Sequence, residues 1–476
     1  MDPRPPGTTQ GQGQAPPIAA AIERAARLYQ AGNLDGAQAL CEDILRADAH
    51  HFYALHLLAT IAALRGEHEE CVRLASRALQ VDPRHTEALS NRGASLRALR
   101  RYDEALADYD RALAVSPRSA TTLNNRGVTL AALGRHREAV ECYDQALAID
   151  ADYARARYNR ALSRLMLGDF RNGWTDYEWR WAGGEQPTGP RPFRVPAFSE
   201  ADFGKGHRVA LWTEQGLGDE LLFSTLAAQL AARGESFALE VDRRLVAPFR
   251  RAHPQWEIAA KGASDEAFAR CDRQLALGSL GRLLRNTREA FAGQPRALLA
   301  PDAPRAAAYR ERLAAPGVRV VGISWRTFQP KKRTFYELTK SAPLAAFAPL
   351  SHERGLRLLD LQYGDTAAER EAFQRDGGNL LRLDELDLYE DLDGLLAAIE
   401  ACDVVVTTSN VTAHLAGAIG KRTLLVYLSG IAPFHYWVPG PGGKSLWYPS
   451  VRIVSGPSMD TWARCLGAAQ EILAAG

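Results

Sequence analysis

A chain of 476 residues is too long for a single ordinary core, so two or three domains are expected, and 46% hydrophobic with 24% charged residues is the composition of a folded protein. Its 58 Lys and Arg against 56 Asp and Glu leave a formal charge of +2, which excludes a chain-wide basic field for nucleic acid and makes any anion site local. The six cysteines (Cys41, Cys71, Cys142, Cys271, Cys402, Cys465) have neither CxxC pairing nor zinc-finger spacing. They read as small buried residues of a reducing, cytoplasmic compartment, with no metal site and no disulfide framework expected. No run of about 18 apolar residues occurs, so no membrane-spanning helix is expected.

In chain order, residues 1–17 are rich in Pro, Gly and Gln, lack the apolar run of a signal peptide, and read as a disordered tail. From 18 to 187 the chain repeats itself with a period of 34 residues. Gly32, Gly66, Gly134 and Gly168 share one slot, with Arg100 filling it in the third unit; this is the turn between two helices, where freedom from a Cβ is useful. Small residues recur at helix crossings (Ala37, Ala105, Ala139; Ala78, Ala112, Ala146), and Pro83 and Pro117 fall where units meet. That period and pattern are those of a tetratricopeptide array of about five helix pairs, at 18–51, 52–85, 86–119, 120–153 and 154 to about 187. The aromatic cluster Trp174, Tyr177, Trp179, Trp181 reads as a cap on the last pair, buried against the next domain.

Asn91, Asn125 and Asn159, each followed by Arg, also recur every 34 residues on the first helix of a unit. Two readings stand: a ladder of amides holding the backbone of an extended protein or peptide partner, or bonds from each Asn to neighbouring helix ends inside the array.

Residues 188–206 carry Pro190, Pro192 and Pro196 and read as a linker. Beyond it, short apolar strands alternate with helical stretches. Strands are expected at 209–212, 237–241, 318–325, 356–361, 403–407 and 423–428. Helices are expected at 219–232, from 243, at 392–401 and at 412–419. Two Rossmann-like halves, 207–316 and 317–476, fit this better than one large sheet. Ligands of such folds sit beyond the carboxyl ends of the strands, so three loops matter.

The first loop, Glu214 to Glu220, has Gly216 and Gly218 for close backbone approach but neither a GxGxxG fingerprint nor a P-loop. Asp219 in it is either a first-turn helix cap, the commoner fate on spacing alone, or a general base facing a cleft. The second loop carries Arg326, Lys331, Lys332 and Arg333, a phosphate clamp or a solvated charge run. The third runs through Ser409, Asn410, Val411, Thr412, Ala413 and His414 into a helix, with hydroxyls and N–H groups suited to a diphosphate; a lone His there is by default structural.

The string Leu211 to Asp219, the segment Val321 to Trp325, the segment Thr412 to Lys421 and Trp447-Tyr448-Pro449 together resemble bacterial tetratricopeptide-repeat proteins with a GT-B glycosyltransferase-like domain. Such proteins are similar to heptosyltransferases and to protein O-GlcNAc transferases. The resemblance implies a GT-B pair of Rossmann-like domains and an inverting transfer of sugar from a nucleotide-diphosphate donor, without a metal cofactor. It implies Asp219 as base, the 409–414 loop as holder of the donor diphosphate, and the Asn ladder as grip on an acceptor polypeptide. Where many relatives open the third loop with Asp-Thr, this chain has Ser409-Asn410. Two alternatives remain beside the transferase acting on a protein: a repeat scaffold with a degenerate transferase domain, and a transferase acting on a glycan or lipid-linked acceptor.

Overall fold

The computed structural model describes residues 18–183, 189–327, 340–428, 435–456 and 461–475. Lys331, Lys332 and Arg333 lie outside the described residues, as does the tail. Ten helices come first: α1 (Ile18–Gln30), α2 (Leu34–Ala47), α3 (Phe52–Leu64), α4 (His68–Val81), α5 (Thr86–Ala98), α6 (Tyr102–Val115), α7 (Ala120–Ala132), α8 (His136–Ile149), α9 (Ala154–Leu167) and α10 (Phe170–Tyr177). The first helix of each pair starts at 18, 52, 86, 120 or 154, which is the 34-residue phase read from the sequence.

The chain divides into two compact units, the first ending at Thr129 and the second starting at Leu130. In the first, the turns between paired helices put Gly32 and Gly66 at φ near +78°. Arg100 holds the same slot at φ 63°, and among the described residues it is the non-glycine residue with positive φ. Asn33 caps α2 by accepting from the Gly36 amide, and His51 and His85 cap α3 and α5 through ring nitrogens. Ala37, Ala78, Ala105 and Ala112 are buried at helix crossings, where a larger side chain would hold the helices apart. Gly93 takes this further: a Cβ there would lie 2.7 Å from the Tyr109 ring.

The arginines that follow the ladder asparagines have a structural task that the sequence reading missed. Arg92 makes a two-pronged ion pair with the buried Asp108, both contacts 2.7 Å, and also donates to Ser76 Oγ. Arg126 reaches Asp110 at 2.8 Å. In the second unit Arg160 binds both Asp176 and Asp144. Each partner is 16 residues before or after the arginine, on a second helix of the array, so the Arg half of the Asn-Arg repeat ties helices together.

The second unit begins with α8 to α10 and continues into two parallel sheets. The first contains β1 (Arg208–Trp212), β2 (Ser236–Val241), β3 (Glu257–Ala260) and β4 (Arg273–Ala276) in the order β3-β2-β1-β4. The second contains β5 (Arg319–Ser324), β6 (Leu356–Asp360), β7 (Leu380–Leu381), β8 (Val404–Thr407), β9 (Thr423–Val426) and β10 (Val451–Val454) in the order β10-β9-β8-β5-β6-β7. Order reverses beside β1 in one sheet and between β5 and β8 in the other, the crevices where such folds take ligands.

The packing division falls inside α7, well before the Pro-rich linker, because the last helix pair belongs to the α/β core. Phe170, Trp174 and Tyr177 share one buried cluster with Leu211, Phe223 and Trp447. Trp174 Nε1 donates to the Arg285 carbonyl at 3.0 Å, and a Cβ on Gly281 would lie 2.7 Å from its ring. Trp179 and Trp181 lie at the margin, beneath the guanidinium groups of Arg157 and Arg180 respectively.

Arg100 offers a direct test of the turn argument. A left-handed arginine costs roughly 1–2 kcal/mol, partly offset by the chain entropy a glycine loses on folding. Arg100→Gly is expected to stabilise the array by about 0.5–1 kcal/mol, read as a higher urea midpoint; an unchanged or lower midpoint would refute the reading.

Candidate functional site

A cleft of about 400 Å³ in the second unit is lined from the first sheet by Gly216, Gly218, Asp219, Asp242 and Arg244, and from the second by Thr327, Lys340, Ser409, Asn410 and His414. The helix Leu217–Ala232 starts at this cleft with Gly216 as its cap residue, which supplies no side-chain bond. The helix Val411–Ala418 starts at the same cleft. Two helix amino termini therefore direct partial positive charge and free N–H groups into one space.

Asp219 occupies the first turn of the helix Leu217–Ala232 and also faces the cleft. Its carboxylate accepts from its own amide. Protein surrounds it, yet part of its surface stays open to the cleft. Burial pushes its carboxyl up, and the charge of Lys340 pulls it back down. Lys340 is lowered by the same burial, with Asp219 opposing. Nothing in the sequence singled out Lys340, because the denser run at 331–333 is the conspicuous basic feature and Lys340 stands alone beyond it.

The residues of the third loop divide by task. Asn410 caps the helix Val411–Ala418, accepting from the Ala413 amide at 3.3 Å while donating to Ser324 Oγ at 2.9 Å. Ser409 Oγ accepts from Trp437 Nε1 at 2.9 Å. Val411 lines the cleft, whereas Thr412 and Ala413 are buried behind it. His414 packs against Trp437 and Tyr436, and its Nδ1 lies 3.2 Å from Tyr448 Oη. Burial, and secondarily Lys340, lower it to about 3, so the ring is neutral. A Cβ on Gly218 would lie 3.0 Å from the His414 ring. That close approach joins the first loop to the third and explains a glycine at 218.

Arg326 is not brought into the cleft. Its guanidinium pairs with Glu369 at 2.8 Å and donates to the Asp365 carbonyl, while its amide donates to Gln362. Arg244 does line the cleft, although Asp242 holds its guanidinium at 2.9 Å through two bonds.

Behind the first loop, Glu214 is buried and pairs with the fully buried Arg180, which also donates to Ser279 Oγ at 2.8 Å. Gln215 donates to Tyr177 Oη. The loop bearing Gly216 to Asp219 is thus fixed from behind by the last helix pair. Asn91 of the ladder is half-buried with its amide 3.4 Å from Thr60 Oγ1. Asn125 and Asn159 are also half-buried.

The fold defines a repeat protein whose helical array is followed by an α/β region of parallel sheets. Residues 84–152 match the tetratricopeptide repeat family. Protein FlbA of Caulobacter vibrioides is 32% identical over 316 residues, covering 62% of this chain and 51% of its own length, so the chain spans about half of that curated relative. Among solved structures, MamA (19% identity, TM-score 0.31) covers 34% of this chain and 94% of its own. A thermophilic TPR protein of Thermus thermophilus (22% identity, TM-score 0.31) covers 36% of this chain and 93% of its own. A tetratricopeptide repeat protein from Parabacteroides merdae (21% identity, TM-score 0.32) covers 36% of this chain and 68% of its own. No helix among the described residues is long and apolar enough to cross a membrane.

Glu220, next to Asp219, is buried and accepts from the Asp242 amide at 2.6 Å. Burial pushes it up to about 8 from an ordinary 4.5. Between those values the folded chain keeps a proton that the unfolded chain has lost. Its contribution is therefore fully present below about pH 4.5 and is lost as pH rises through about 8. Glu220→Gln, which stays neutral and keeps the acceptor oxygen, is expected to gain thermal stability relative to the parent between about pH 5 and pH 8. Parallel melting-temperature profiles would show that Glu220 is not protonated in the fold.

Proposed function

We propose that this protein is an inverting glycosyltransferase of the GT-B type that uses a nucleotide-diphosphate sugar. The observation that carries the reading is the convergence on one cleft of Asp219, Lys340 and two helix amino termini. That set matches the needs of the reaction: a base for the acceptor and fixed positive charge for the leaving group. Asp219 takes the proton of an acceptor hydroxyl, the acceptor oxygen bonds to the sugar C1, and the bond from C1 to the diphosphate breaks. The electron pair leaves on the diphosphate, where the helix termini and Lys340 balance it. The step so written uses no cofactor and needs no divalent cation. Nucleotide sugars are made in the cytoplasm, where the reading places the protein.

Asp219 must be ionised and Lys340 protonated, so activity rises with pH as the first loses its proton and falls as the second does. Lys340→Met removes the charge that holds Asp219 down, and the acidic limb of the kcat/KM profile is expected to move to higher pH. Asp219→Asn is expected to lower kcat/KM by roughly 10²–10⁴-fold while leaving stabilisation by UDP, GDP or ADP intact. Full transfer by Asp219→Asn would remove the carboxylate from the mechanism.

The array is assigned a protein or peptide acceptor, since a helical repeat surface with polar amides suits an extended chain. Joint Asn91→Ala and Asn125→Ala substitution is expected to lower labelling of protein acceptors in an extract severalfold while leaving slow hydrolysis of the donor unchanged. Undiminished protein labelling would point instead to a glycan or lipid-linked acceptor. A scaffold with a degenerate transferase domain is the second reading, favoured by the family match lying within the repeats. Nucleotide binding without turnover would establish it.

A further inference from the structure

A second cavity, of about 450 Å³, lies at the other end of the second sheet, where β9 and β10 begin. Arg296, Arg422, Lys444 and Arg452 line it together with Ser450. The Asp219 cleft lies beyond the carboxyl ends of β5 and β8, so in a parallel sheet the two cavities open at opposite ends.

Three observations set this cavity apart from an ordinary charged surface. Several arginines elsewhere in the α/β region are held by carboxylates: Arg305 by Asp391, Arg310 by Asp403, Arg312 by Glu385. Arg296, Lys444 and Arg452 have no carboxylate within ion-pair distance among the described residues. Lys444 and Arg452 are, moreover, directly opposite each other in an antiparallel bridge, a placement in which like charges repel. An anion between them would relieve that repulsion. Finally, the Ser450 hydroxyl, at the same cavity, is buried without a hydrogen-bond partner. A buried donor left unmade costs free energy, and an anionic oxygen is the acceptor that cations already gather.

Placement is enforced. The segment carrying Arg296 is pinned where the Leu298 and Leu299 amides both donate to the Ala418 carbonyl. A Cβ on Gly420, which has φ +74°, would lie 2.6 Å from the Arg296 carbonyl oxygen. The bland alternative is that these cations complement the carboxyl end of the helix Val411–Ala418. A helix end carries about half an elementary charge, which does not call for four cations. Glu471 borders the adjoining hollow that shares Arg422 and Arg452, and it tempers the field on one side.

We propose that this cavity is a second anion-binding site, separate from the Asp219 cleft, that takes a small ligand carrying at least two phosphoryl charges. Its volume is that of a small-molecule pocket. Free polyphosphorylated metabolites and the two-phosphate headgroup of cardiolipin share this chemistry.

The test is calorimetric titration of the full chain with inorganic pyrophosphate at physiological salt, on the parent, on Lys340→Met and on the joint Lys444→Gln, Arg452→Gln variant. Sedimentation with vesicles containing cardiolipin, whose headgroup carries two phosphodiesters, runs in parallel. The expected result is pyrophosphate binding that persists in Lys340→Met and weakens at least about ten-fold in the joint variant. Vesicle binding without pyrophosphate binding, lost in the joint variant, would keep the site and assign it to a headgroup. Both substituted side chains are exposed, so the fold is expected to survive, and circular dichroism checks it. Ser450→Ala, which leaves the charge unchanged, is expected to weaken binding severalfold if the hydroxyl donates to the ligand. Equal pyrophosphate and vesicle binding by the parent and the joint variant, or no binding of either probe by the parent, would overturn the proposal. Loss in Lys340→Met alone would assign the binding to the Asp219 cleft and overturn it equally. Failure of sugar transfer has no bearing on this outcome.

Discussion

Arg180 and Glu214 meet where the last helix pair joins the first sheet, at 3.0 Å and almost without exposure, and the placement of the cleft loop depends on them. Burying two charges costs several kcal/mol per ion unless geometry and further hydrogen bonds return it. The return is present: two bonds between the partners, one from Arg180 to Ser279, and a second carboxylate, Glu178, at 3.1 Å. Burial alone would lower the arginine, but Glu214 and Glu178 hold it above its usual value. At Glu214 burial is the larger effect and the carboxyl is raised despite its partner. A pair under that tension tolerates little displacement. Gly278 shows how little, since a Cβ there would lie 2.4 Å from Glu214 Oε1. Gly216 to Asp219 follow directly, so the first loop inherits its position from the repeat end of the unit.

Against that fixed loop, the charge in the cleft is carried by groups that do not move. Backbone N–H groups at two helix starts are set by the helices themselves, and they lose no side-chain entropy on meeting a ligand. Lys340 is the side-chain complement, and the opposite charges of Lys340 and Asp219 make each group sensitive to the other. His414 adds shape rather than charge: neutral, and wedged between Gly218 and Tyr448, it holds the two loops in register.

The helical repeat was legible because one period imposes one geometry. A slot that needs positive φ selects glycine four times in five, and the fifth residue, Arg100, adopts the same φ. The long strands and helices were legible for a similar reason, as with the helix Leu392–Ala401, whose expected ends are its observed ends. Four strands were not, among them Glu257–Ala260, Leu380–Leu381 and Val451–Val454: so short a run carries no periodicity, and charged residues within or beside these (Glu257, Arg382, Arg452) break the apolar run that marks the equally short Val404–Thr407 and Thr423–Val426. The loops that line the cleft were found from strand-to-helix junctions, which sequence marks well. Partner choice was not: nothing at Arg326 foretells Glu369, far along the chain, and nothing at Lys340 foretells Asp219.

Asn410 carries one consequence further. A side chain at this place must accept from the Ala413 amide to cap its helix and meet Ser324 Oγ across the sheet end. An amide does both, because it has a donor and an acceptor on one carbon. An ionised carboxylate could cap the helix but offers no donor, and it would add a negative charge at the mouth of a cleft that already holds Asp219 and Asp242. With Ser409 and Asn410 opening the loop, both uncharged, no third carboxylate stands at the cleft mouth, which is less repulsive to an anion for it. The neutral Asn410 thus settles helix cap and sheet end at once, and it leaves Asp219 and Asp242 as the carboxylates that line the cleft among the described residues.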